Sequence, residues 1–311
     1  MKKTLLTICL VWMCFSLSAQ KIIDLSGKWS FSIDRQDNGE KEKWFSHTLN
    51  DFINLPGSMP EKLKGDEVTA KTQWTGSLYD SSYYYNPYME KYRKEGNIKF
   101  PFFLTPDKHY VGAAWYQKEV NIPADWKGER ILLFLERPHI ETTVWVNGQK
   151  TGMQNSLCVP HQYDITHYVR PGKCTITIRV DNRIKEINVG PDSHSITDQT
   201  QGNWNGIVGR ICLQTTPKTY FDDIQIYPEP EQKLARVKVV IKGTGTAKVK
   251  LSAESFNTDK KHIVPAIQQE IKLNKGVTET EMVLPMGNDM LLWDEFHPAL
   301  YKLKAEVTNG K

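Results

Sequence analysis

Alternation of apolar and polar residues with a period of two is the sequence feature that most restricts how this chain can fold. Residues 174–180 place Cys, Ile, Ile and Val on one face and Thr, Thr and Arg on the other. Because successive side chains of a strand point to opposite faces, this pattern predicts a strand. Residues 131–135 form a continuous apolar run, as expected for a strand buried on both sides. The sequence has no sustained helical period, and short helices are expected only at 89–94 and 60–64.

Turn residues divide the strand segments in a way that is typical of antiparallel sheets. Asn147-Gly148 follows the apolar segment 142–146 and is the strongest short hairpin signal, because both central residues of such a turn need positive φ. Beyond residue 217, strand segments recur about every ten residues, as expected for a small sandwich. These segments are 221–227, 235–241, 247–253, 269–273, 278–284 and 301–307. We therefore predict an all-β chain with two domains that meet near residues 217–220.

Composition and charge exclude several classes of protein. The 311 residues carry 40 basic and 36 acidic side chains, and this near-balance argues against a dedicated nucleic-acid binder. The fractions of hydrophobic residues, 39%, and of charged residues, 24%, exclude a disordered polyelectrolyte. After Phe15, no apolar run approaches the roughly 20 residues that a membrane-spanning helix needs. We therefore expect that this chain does not bind nucleic acid and does not span a membrane.

The first 19 residues have the pattern of a secretory signal. Lys2 and Lys3 supply the positive start, residues 5–17 are largely apolar, and small residues follow at 16–19. The alternative is a buried N-terminal helix. We expect cleavage after this segment and export to the periplasm or the extracellular space.

Three cysteines remain after such a cleavage: Cys158, Cys174 and Cys212. Cys174 begins an alternating strand and Cys212 lies in an apolar one, so buried free thiols are expected there. The cysteine spacing is not that of a zinc site, and the eight histidines form no helical i, i+4 pair or Cys-His cluster. The sequence also lacks a Gly-x-Ser-x-Gly nucleophile elbow and a Gly-rich phosphate loop. We expect no metal and no cofactor.

Aromatic residues are concentrated in one segment. Residues 74–116 contain 13 of the 33 aromatic side chains, and Pro87, Pro101 and Pro106 interrupt any regular element there. Long ordered loops of this kind are often functional. One hypothesis is a satellite core that holds the loop down, and the other is a surface on which sugar rings stack. The two can coexist.

The loop 198–206 has the composition of a sugar pocket. It combines a carboxylate, several amides and an indole, and such groups bind hydroxyls and stack on sugar rings. We select Asp198, Gln199, Asn203 and Trp204 as ligand-proximal candidates, with a plain ordered loop as the alternative. Elsewhere, Asp164, Asp181 and Asn182 are interpreted as turn residues, because Asp and Asn accept hydrogen bonds from nearby backbone amides.

An ordered set of motifs carries a family resemblance. The motifs are Leu25-Ser-Gly-Lys-Trp-Ser-Phe31, Leu55-Pro-Gly-Ser58, Ala114-Trp-Tyr-Gln-Lys-Glu-Val120, Val144-Trp-Val-Asn-Gly148, Tyr163-Asp-Ile-Thr166, Ile178-Arg-Val-Asp-Asn182, Trp204-Asn-Gly-Ile207 and Leu292-Trp293 before Pro298 and Tyr301. In this order and spacing they resemble glycoside hydrolase family 2, which includes β-galactosidases, β-glucuronidases and β-mannosidases. The resemblance covers about residues 24–307.

The resemblance implies a modular organisation. It assigns 20–218 to a jelly-roll sugar-binding domain and 219–311 to an immunoglobulin-like β-sandwich, which in the family precede a TIM barrel with two catalytic glutamates. A retaining glycosidase holds such a pair about 5 Å apart, and a barrel takes about 250 residues. In the family the acid/base glutamate follows an asparagine, and this sequence contains no Asn-Glu dipeptide. We therefore expect the catalytic barrel to be absent and assign no catalytic residue.

The resemblance also bears on the loop 198–206. In some family galactosidases, the corresponding loop supplies a carboxylate near a sodium-and-sugar site. By register that position falls near Thr200, two residues from Asp198, so the carboxylate is not carried over directly.

These features together suggest the non-catalytic N-terminal portion of an exported family 2-like β-glycosidase. Its expected role is carbohydrate recognition at an active-site rim during oligosaccharide or polysaccharide degradation. The expected partners are a β-linked glycan and a separate catalytic barrel segment. A stand-alone carbohydrate-binding or adhesin-like module and a structural dimerisation module are the alternatives. The choice among galactose, glucuronate and mannose stays open.

Overall fold

The computed structural model of the chain describes residues 21–76, 81–185, 193–194 and 196–309. The predicted signal segment 1–19 lies outside these residues. The described chain forms two compact units, one made of residues up to 127 and 131–215, the other of 128–130 and residues from 216 onward. The domain limits expected from the sequence stay predictions.

Most of the regular elements in the described residues up to Thr216 are strands. These are β1 (Ile22–Asp24), β2 (Gly27–Asp34), β3 (Asp51–Leu55), β4 (Gly57–Ser58), β5 (Asp66–Glu67), β6 (Lys108–His109), β7 (Ala113–Ile122), β8 (Arg130–Leu135), β9 (Pro138–His139), β10 (Glu141–Val146), β11 (Gln149–Asn155), β12 (His161–Asp164), β13 (Gly172–Asp181), β14 (Gly206–Ile207) and β15 (Ile211–Thr216). Among the described residues of this region, helical structure is limited to α1 (Ser82–Tyr85) and to the 3-10 helices Trp44–Ser46, Pro87–Arg93 and Ala124–Trp126. The helix expected at 89–94 is therefore a 3-10 helix over residues 89–93, and the helix expected at 60–64 is replaced by turns at 60–63.

Two sheets of this unit enclose one hydrophobic core. The four-stranded sheet has the order β1-β15-β8-β12, and the six-stranded sheet has the order β11-β10-β13-β7-β2-β3. Leu133 and Tyr163 from the first sheet belong to the same buried cluster as Trp29, Tyr116 and Ile176 from the second. The predicted all-β jelly-roll sandwich is confirmed.

The alternating strand β13 has the predicted orientation, but both of its faces are covered. Cys174, Ile176, Ile178 and Val180 all lie in the core. On the opposite face of the same sheet, Trp115 and Trp145 are buried as well, in a second cluster with Leu49, Trp44 and Phe45. The stretch between β2 and β3 therefore covers the outside of the six-stranded sheet.

The predicted hairpin at Asn147-Gly148 is also confirmed. β10 pairs with β11 in antiparallel register, and the two turn residues have φ of 50° and 78°. Positive φ at both central positions is what a two-residue hairpin of this type requires.

The second unit is an immunoglobulin-like sandwich of long, bent strands, as predicted. Its strands are β16 (Tyr220–Glu229), β17 (Leu234–Phe256), β18 (Ile263–Pro285) and β19 (Leu300–Asn309), with a 3-10 helix at Pro230–Gln232. The first half of β17 pairs with β16 and the second half with β19, while β18 follows it along both halves. Val237 and Val239 from the first half share a buried cluster with Val249 and Leu251 from the second. Segments predicted as separate strands thus form continuous strands that bend around one core.

Cys158, Cys174 and Cys212 are free thiols. Cys174 and Cys212 are buried, as predicted, and Cys158 is exposed. In the portion of the chain that the structure describes, no helix has the length and apolar character needed to cross a membrane.

Candidate functional site

The loop that contains the four predicted site residues is fastened to the start of the aromatic segment by one buried carboxylate. Asp198 is 2% exposed. Its Oδ1 accepts a hydrogen bond from the backbone amide of Asn203 at 2.7 Å, and its Oδ2 accepts one from the amide of Thr75 at 2.7 Å. The Oδ2 atom also lies 3.2 Å from Nε2 of His109. Both oxygens are therefore occupied by protein groups.

Asn203 has a similar structural role. Its side-chain amide donates to the hydroxyl of Thr75 at 2.9 Å and to the carbonyl of Asn182 at 3.1 Å. Its Oδ1 lies 3.2 Å from Nε2 of His139. At 3% exposure, Asn203 presents little polar surface to a ligand and instead connects three parts of the unit.

Trp204 is the aromatic residue among the four predicted candidates. Its indole is half-buried and stacks on the imidazole of His139, with ring centroids 4.6 Å apart and an interplanar angle of 24°. His139 supports this ring from the buried side. Burial lowers the pKa of His139 to about 4, although the contact with Asn203 opposes the shift. The imidazole is therefore neutral at pH 7, and its Nε2 can donate to Asn203.

The residues that follow Trp204 anchor the loop to the core. The side-chain amide of Asn205 donates to the carbonyls of Gly112 and Val180, each at 2.9 Å, and its Oδ1 accepts from the hydroxyl of Tyr116 at 2.7 Å. Burial raises the pKa of Tyr116 well above its ordinary value, so its hydroxyl stays a donor. The loop is thus an ordered element with a fixed base.

Gln199 combines a structural contact with an unused acceptor. Its backbone carbonyl accepts a hydrogen bond from the amide of Phe103 at 3.2 Å, which joins the loop to the aromatic segment. Its side-chain Oε1 is buried and has no hydrogen-bond partner among the described residues. A buried acceptor of this kind is unusual in a folded protein. Gln199 therefore differs from Asp198 and Asn203, whose polar atoms are all engaged.

The aromatic segment divides into an inner and an outer set of rings. Trp74 contacts Phe100, Phe102 and His109, with ring centroids 4.8, 5.0 and 4.6 Å apart. Tyr83 is 1% exposed and its ring lies 4.9 Å from that of Phe100. These inner rings form a satellite core. The rings of Tyr84, Tyr85, Tyr88 and Phe103 are exposed. Both sequence hypotheses for this segment therefore have residues that fit them.

Turn residues singled out in the sequence also have structural partners. Asp164 accepts a hydrogen bond from the amide of Thr166 at 3.1 Å. Asp181 is fully buried and accepts hydrogen bonds from the guanidinium groups of Arg179 and Arg183. Burial acts to raise the pKa of Asp181, but hydrogen bonds from Arg183 and Lys185 outweigh it and hold the pKa well below its ordinary range. This network stabilises the end of β13.

The structure brings together residues that sequence patterns did not select. Thr75, His109 and His139 contact the predicted residues from distant parts of the chain, and no local motif marks them. Within the described ranges, no group of three or more His, Cys, Asp or Glu side chains could hold a metal ion. The half-buried indole of Trp204 is a group on which a sugar ring can stack, whereas the unpartnered Oε1 of Gln199 is buried. The predicted ligand-proximal roles of the four residues stay predictions.

Both sandwiches match models of one glycoside hydrolase family. The model of the glycosyl hydrolases family 2 sugar binding domain matches residues 22–217, and the model of glycosyl hydrolases family 2 matches residues 219–311. The chain therefore belongs to glycosyl hydrolase family 2.

Similar proteins include whole glycosidases of greater length. The β-glucuronidase of Homo sapiens is 24% identical over 92% of this chain and 41% of that protein. The β-galactosidase of Clostridium acetobutylicum is 24% identical over 90% of this chain and 28% of that protein. Among solved structures, the Ruminococcus gnavus β-glucuronidase has a TM-score of 0.58 at 18% identity, over 93% of this chain and 42% of that chain. The chain spans about two fifths of the length of the β-glucuronidases it matches.

Proposed function

We propose that this chain is the non-catalytic N-terminal part of an exported family 2 β-glycosidase. It recognises a β-linked glycan and shapes the rim of an active site that another segment supplies. In this role it contributes to the degradation of oligosaccharides or polysaccharides.

The proposal is carried by one observation: both family models match in order across residues 22–311, while the 311 residues contain no Asn-Glu dipeptide. The relatives that share this region are β-glucuronidases and β-galactosidases, whose substrates are β-linked glycosides. The ordered loop around Trp204 supports a recognition role, because a half-exposed indole on a fixed base can stack on a sugar ring.

The recognition role is tested by glycan binding. The purified chain is applied to an array of neutral and uronate-containing β-linked oligosaccharides, and hits are measured by titration calorimetry. We expect binding of β-linked oligosaccharides at millimolar concentration or below, with α-linked maltotetraose as a control ligand that binds more weakly. If no β-linked oligosaccharide binds at millimolar concentration, the recognition role is wrong.

Export rests on the pattern of residues 1–19 and is tested separately. A bacterial host expresses the full chain, and the N-terminus of the product in the periplasm or medium is sequenced. We expect a mature N-terminus close to residue 20. An unprocessed product that stays in the cytoplasm would contradict export without affecting the recognition role.

A further inference from the structure

A small cavity lies on the outer face of the six-stranded sheet, away from the core. Its volume is about 330 Å³, and its walls include segment 45–48 and the hairpin turn Asn147-Gly148. Gln117 and Thr175 also line it. Both alternate with core residues along β7 and β13, so their side chains project from the opposite face of the sheet. The volume is at the lower end of the range usual for small-molecule sites.

Gln117 fixes one wall of the cavity and leaves an acceptor free. Its side-chain NH₂ donates to the carbonyl of His47 at 3.0 Å and to the hydroxyl of Thr177 at 3.1 Å, which ties segment 45–48 to the sheet. Its Oε1 has no hydrogen-bond partner among the described residues and, unlike Oε1 of Gln199, is not sealed from solvent. Because Gln117 is only 9% exposed, the cavity that it lines is the route by which a ligand would reach this oxygen.

Hydrogen bonds also hold the hairpin turn that borders the cavity. The side chain of Asn147 donates to the carbonyl of Tyr168 at 3.1 Å and accepts from the amide of Thr175 at 3.0 Å. A Cβ on Gly148 would lie 3.5 Å from the hydroxyl of Ser46, so the glycine leaves space beside that hydroxyl. Since these walls are already fixed, a ligand need not order the backbone before it binds.

The cavity lining is polar and nearly free of ionisable side chains. The hydroxyls of Ser46, Thr48 and Thr175 have no hydrogen-bond partner in the described part of the chain. His47 is the one ionisable residue of the lining, whereas three larger cavities of the described residues each contain both a carboxylate and a cation. A carboxylate or sulfate group on a ligand would meet no Lys or Arg in this lining. Sugar hydroxyls, in contrast, can donate to the free oxygens and accept from the free hydroxyls.

Phe45 supplies an aromatic surface to the cavity. Its ring stacks on that of the buried Trp145, with centroids 5.1 Å apart and an interplanar angle of 6°. Phe45 is half-buried, so the exposed part of its ring lies away from Trp145. Lys150, whose Nζ lies 5.5 Å from the Trp145 ring centroid, is ion-paired with Glu40 at 2.9 Å, and its charge is already balanced. An aromatic ring among a few hydroxyl and amide groups is suited to a neutral hydroxylated ring.

We propose that this cavity binds one ring of a neutral β-linked oligosaccharide. The inference rests on the proposed carbohydrate recognition and adds a location and a ligand class to it. The sugar ring stacks on the exposed part of Phe45. Its hydroxyls bind Oε1 of Gln117 and the hydroxyls of Thr48 and Thr175.

Titration calorimetry of the purified chain tests the ligand class. Cellotetraose is compared with a tetramer of β-1,4-linked glucuronate, which has the same backbone with a carboxylate in place of each CH₂OH group. β-1,4-Galactotetraose and β-1,4-mannotetraose are further neutral probes. We expect a neutral probe to bind, and to bind more tightly than the glucuronate tetramer, because the lining offers no Lys or Arg to compensate the desolvation of a carboxylate.

Paired variants test the location. Thr175→Val removes a lining hydroxyl and keeps the shape of the side chain, so we expect it to weaken neutral binding about twofold to tenfold. The matched control is Thr280→Val, which changes a half-buried threonine on β18 and should leave binding unchanged. Phe45→Leu keeps an apolar side chain on Trp145 but removes the ring, and we expect a loss of about twofold to tenfold that Phe45→Tyr does not cause. Circular dichroism verifies that each variant is folded.

The other outcomes overturn the proposal in distinguishable ways. Neutral binding that Thr175→Val and Phe45→Leu both retain, or that Thr280→Val weakens equally, would contradict this location and leave carbohydrate recognition intact. Equal or tighter binding of the glucuronate tetramer would contradict the ligand class. If none of the four tetrasaccharides binds, the site is wrong, and the proposed function fails with it only if the glycan array also gives no binding.

Discussion

The carboxylate of Asp198 receives hydrogen bonds from groups 5, 89 and 123 residues away in the sequence. Sequence composition selected this residue as a ligand contact, because a carboxylate in a polar aromatic loop is typical of sugar pockets. The structure shows the same carboxylate buried and saturated, and this is how buried polar groups are usually stabilised. At the residue scale, the hydrogen-bond partners of a polar side chain determine whether that side chain is available to a ligand.

Replacement of Asp198 is expected to release the loop. Asp198→Asn keeps one acceptor and places an NH₂ group among donors, so we expect the free energy of unfolding to fall by about 1–3 kcal/mol. Urea denaturation followed by tryptophan fluorescence measures the loss, and native-state hydrogen exchange should show faster exchange at the amides of Thr75 and Asn203. The exposed Asp107→Asn is the matched control. Equal stability of the two variants would contradict the fastening role.

A pH dependence is expected from His139. Its pKa in the folded protein is about 4, below the ordinary value of about 6.5 in an unfolded chain. Between these values the unfolded state binds more protons than the folded state, so the free energy of unfolding falls as the pH falls from about 6.5 to about 4. The contribution of this one group is about 3 kcal/mol.

The variant His139→Gln isolates that contribution. Free energies of unfolding are measured from pH 7 to pH 4 for the parent chain and the variant, and the variant should lose stability less steeply. His161, whose pKa is also lowered by burial, contributes to both proteins and cancels in the comparison. His47→Gln, at an exposed position, should keep the parent slope. The same slope in the parent chain and His139→Gln would argue against a neutral buried imidazole.

At the scale of elements, period-two patterns predicted strands correctly, but the aromatic segment required a different kind of information. Proline breaks and ring content marked 74–116 as irregular, yet they did not separate inner rings from outer ones. That separation depends on which rings pack on Trp74 and which point to solvent. Packing of this kind is a tertiary property.

Removal of one inner ring is expected to open the aromatic segment locally. Phe100→Ala deletes a ring that is 7% exposed and contacts Trp74 and Tyr83, at a cost of about 3 kcal/mol. Limited trypsin digestion should then cut faster after the basic residues of 91–99, as mass spectrometry can detect. The matched control is Phe103→Ala, whose ring is 83% exposed. Equal digestion of both variants would mean that the satellite core does not hold the segment.

Position 206 requires glycine because the short strands β14 and β4 approach each other closely there. A Cβ on Gly206 would lie 2.4 Å from the carbonyl oxygen of Gly57, and the residue has φ of 142°. We expect Gly206→Ala to lower the free energy of unfolding by about 2–4 kcal/mol. Gly202→Ala in the same loop has positive φ but open space around its Cβ, so its loss should be about 1 kcal/mol. Chemical denaturation compares the two, and equal losses would contradict the steric argument.

At the scale of the whole molecule, two separately built sandwiches correspond to the two matched domains of glycosyl hydrolase family 2. Their cores consist of different residues, with Trp29 and Tyr116 in one and Val237 and Val249 in the other. A (β/α)₈ barrel needs eight helices, whereas the described residues contain a single α-helix of four residues. The described region therefore has the fold of two β-sandwiches and lacks the helices that a barrel needs.

The 311-residue chain alone is expected to show no hydrolysis of aryl β-glycosides. The physical reason is that general acid/base and nucleophilic carboxylates must face each other about 5 Å apart, and we find no candidate for that pair. Release of 4-nitrophenol from aryl β-galactoside, β-glucuronide and β-mannoside is the measurement, with a complete family 2 β-glucuronidase as the positive control. Sustained turnover after removal of contaminating glycosidase would contradict the prediction.

The sequence by itself determined the all-β class, the hairpin at Asn147-Gly148 and the family, because these depend on local periodicity, turn chemistry and the order of short motifs. It also predicted that Cys174 and Cys212 are buried thiols. The sequence did not predict that β17 and β18 are continuous. Gly243 and Gly276 look like turn residues in the sequence, but the hydrogen bonds between β17 and β18 continue before and after them.

Only the tertiary structure revealed the hydrogen-bond partners of Asp198 and Asn203 and the exposure of the outer tyrosines. The hydrogen bonds that occupy Asp198 come from Thr75 and His109, which are near it only after the sandwich has folded. Whether a ring is buried or exposed likewise depends on long-range packing and not on its neighbours in the sequence. Local patterns fix which elements form, and long-range contacts fix which of their side chains remain free to bind.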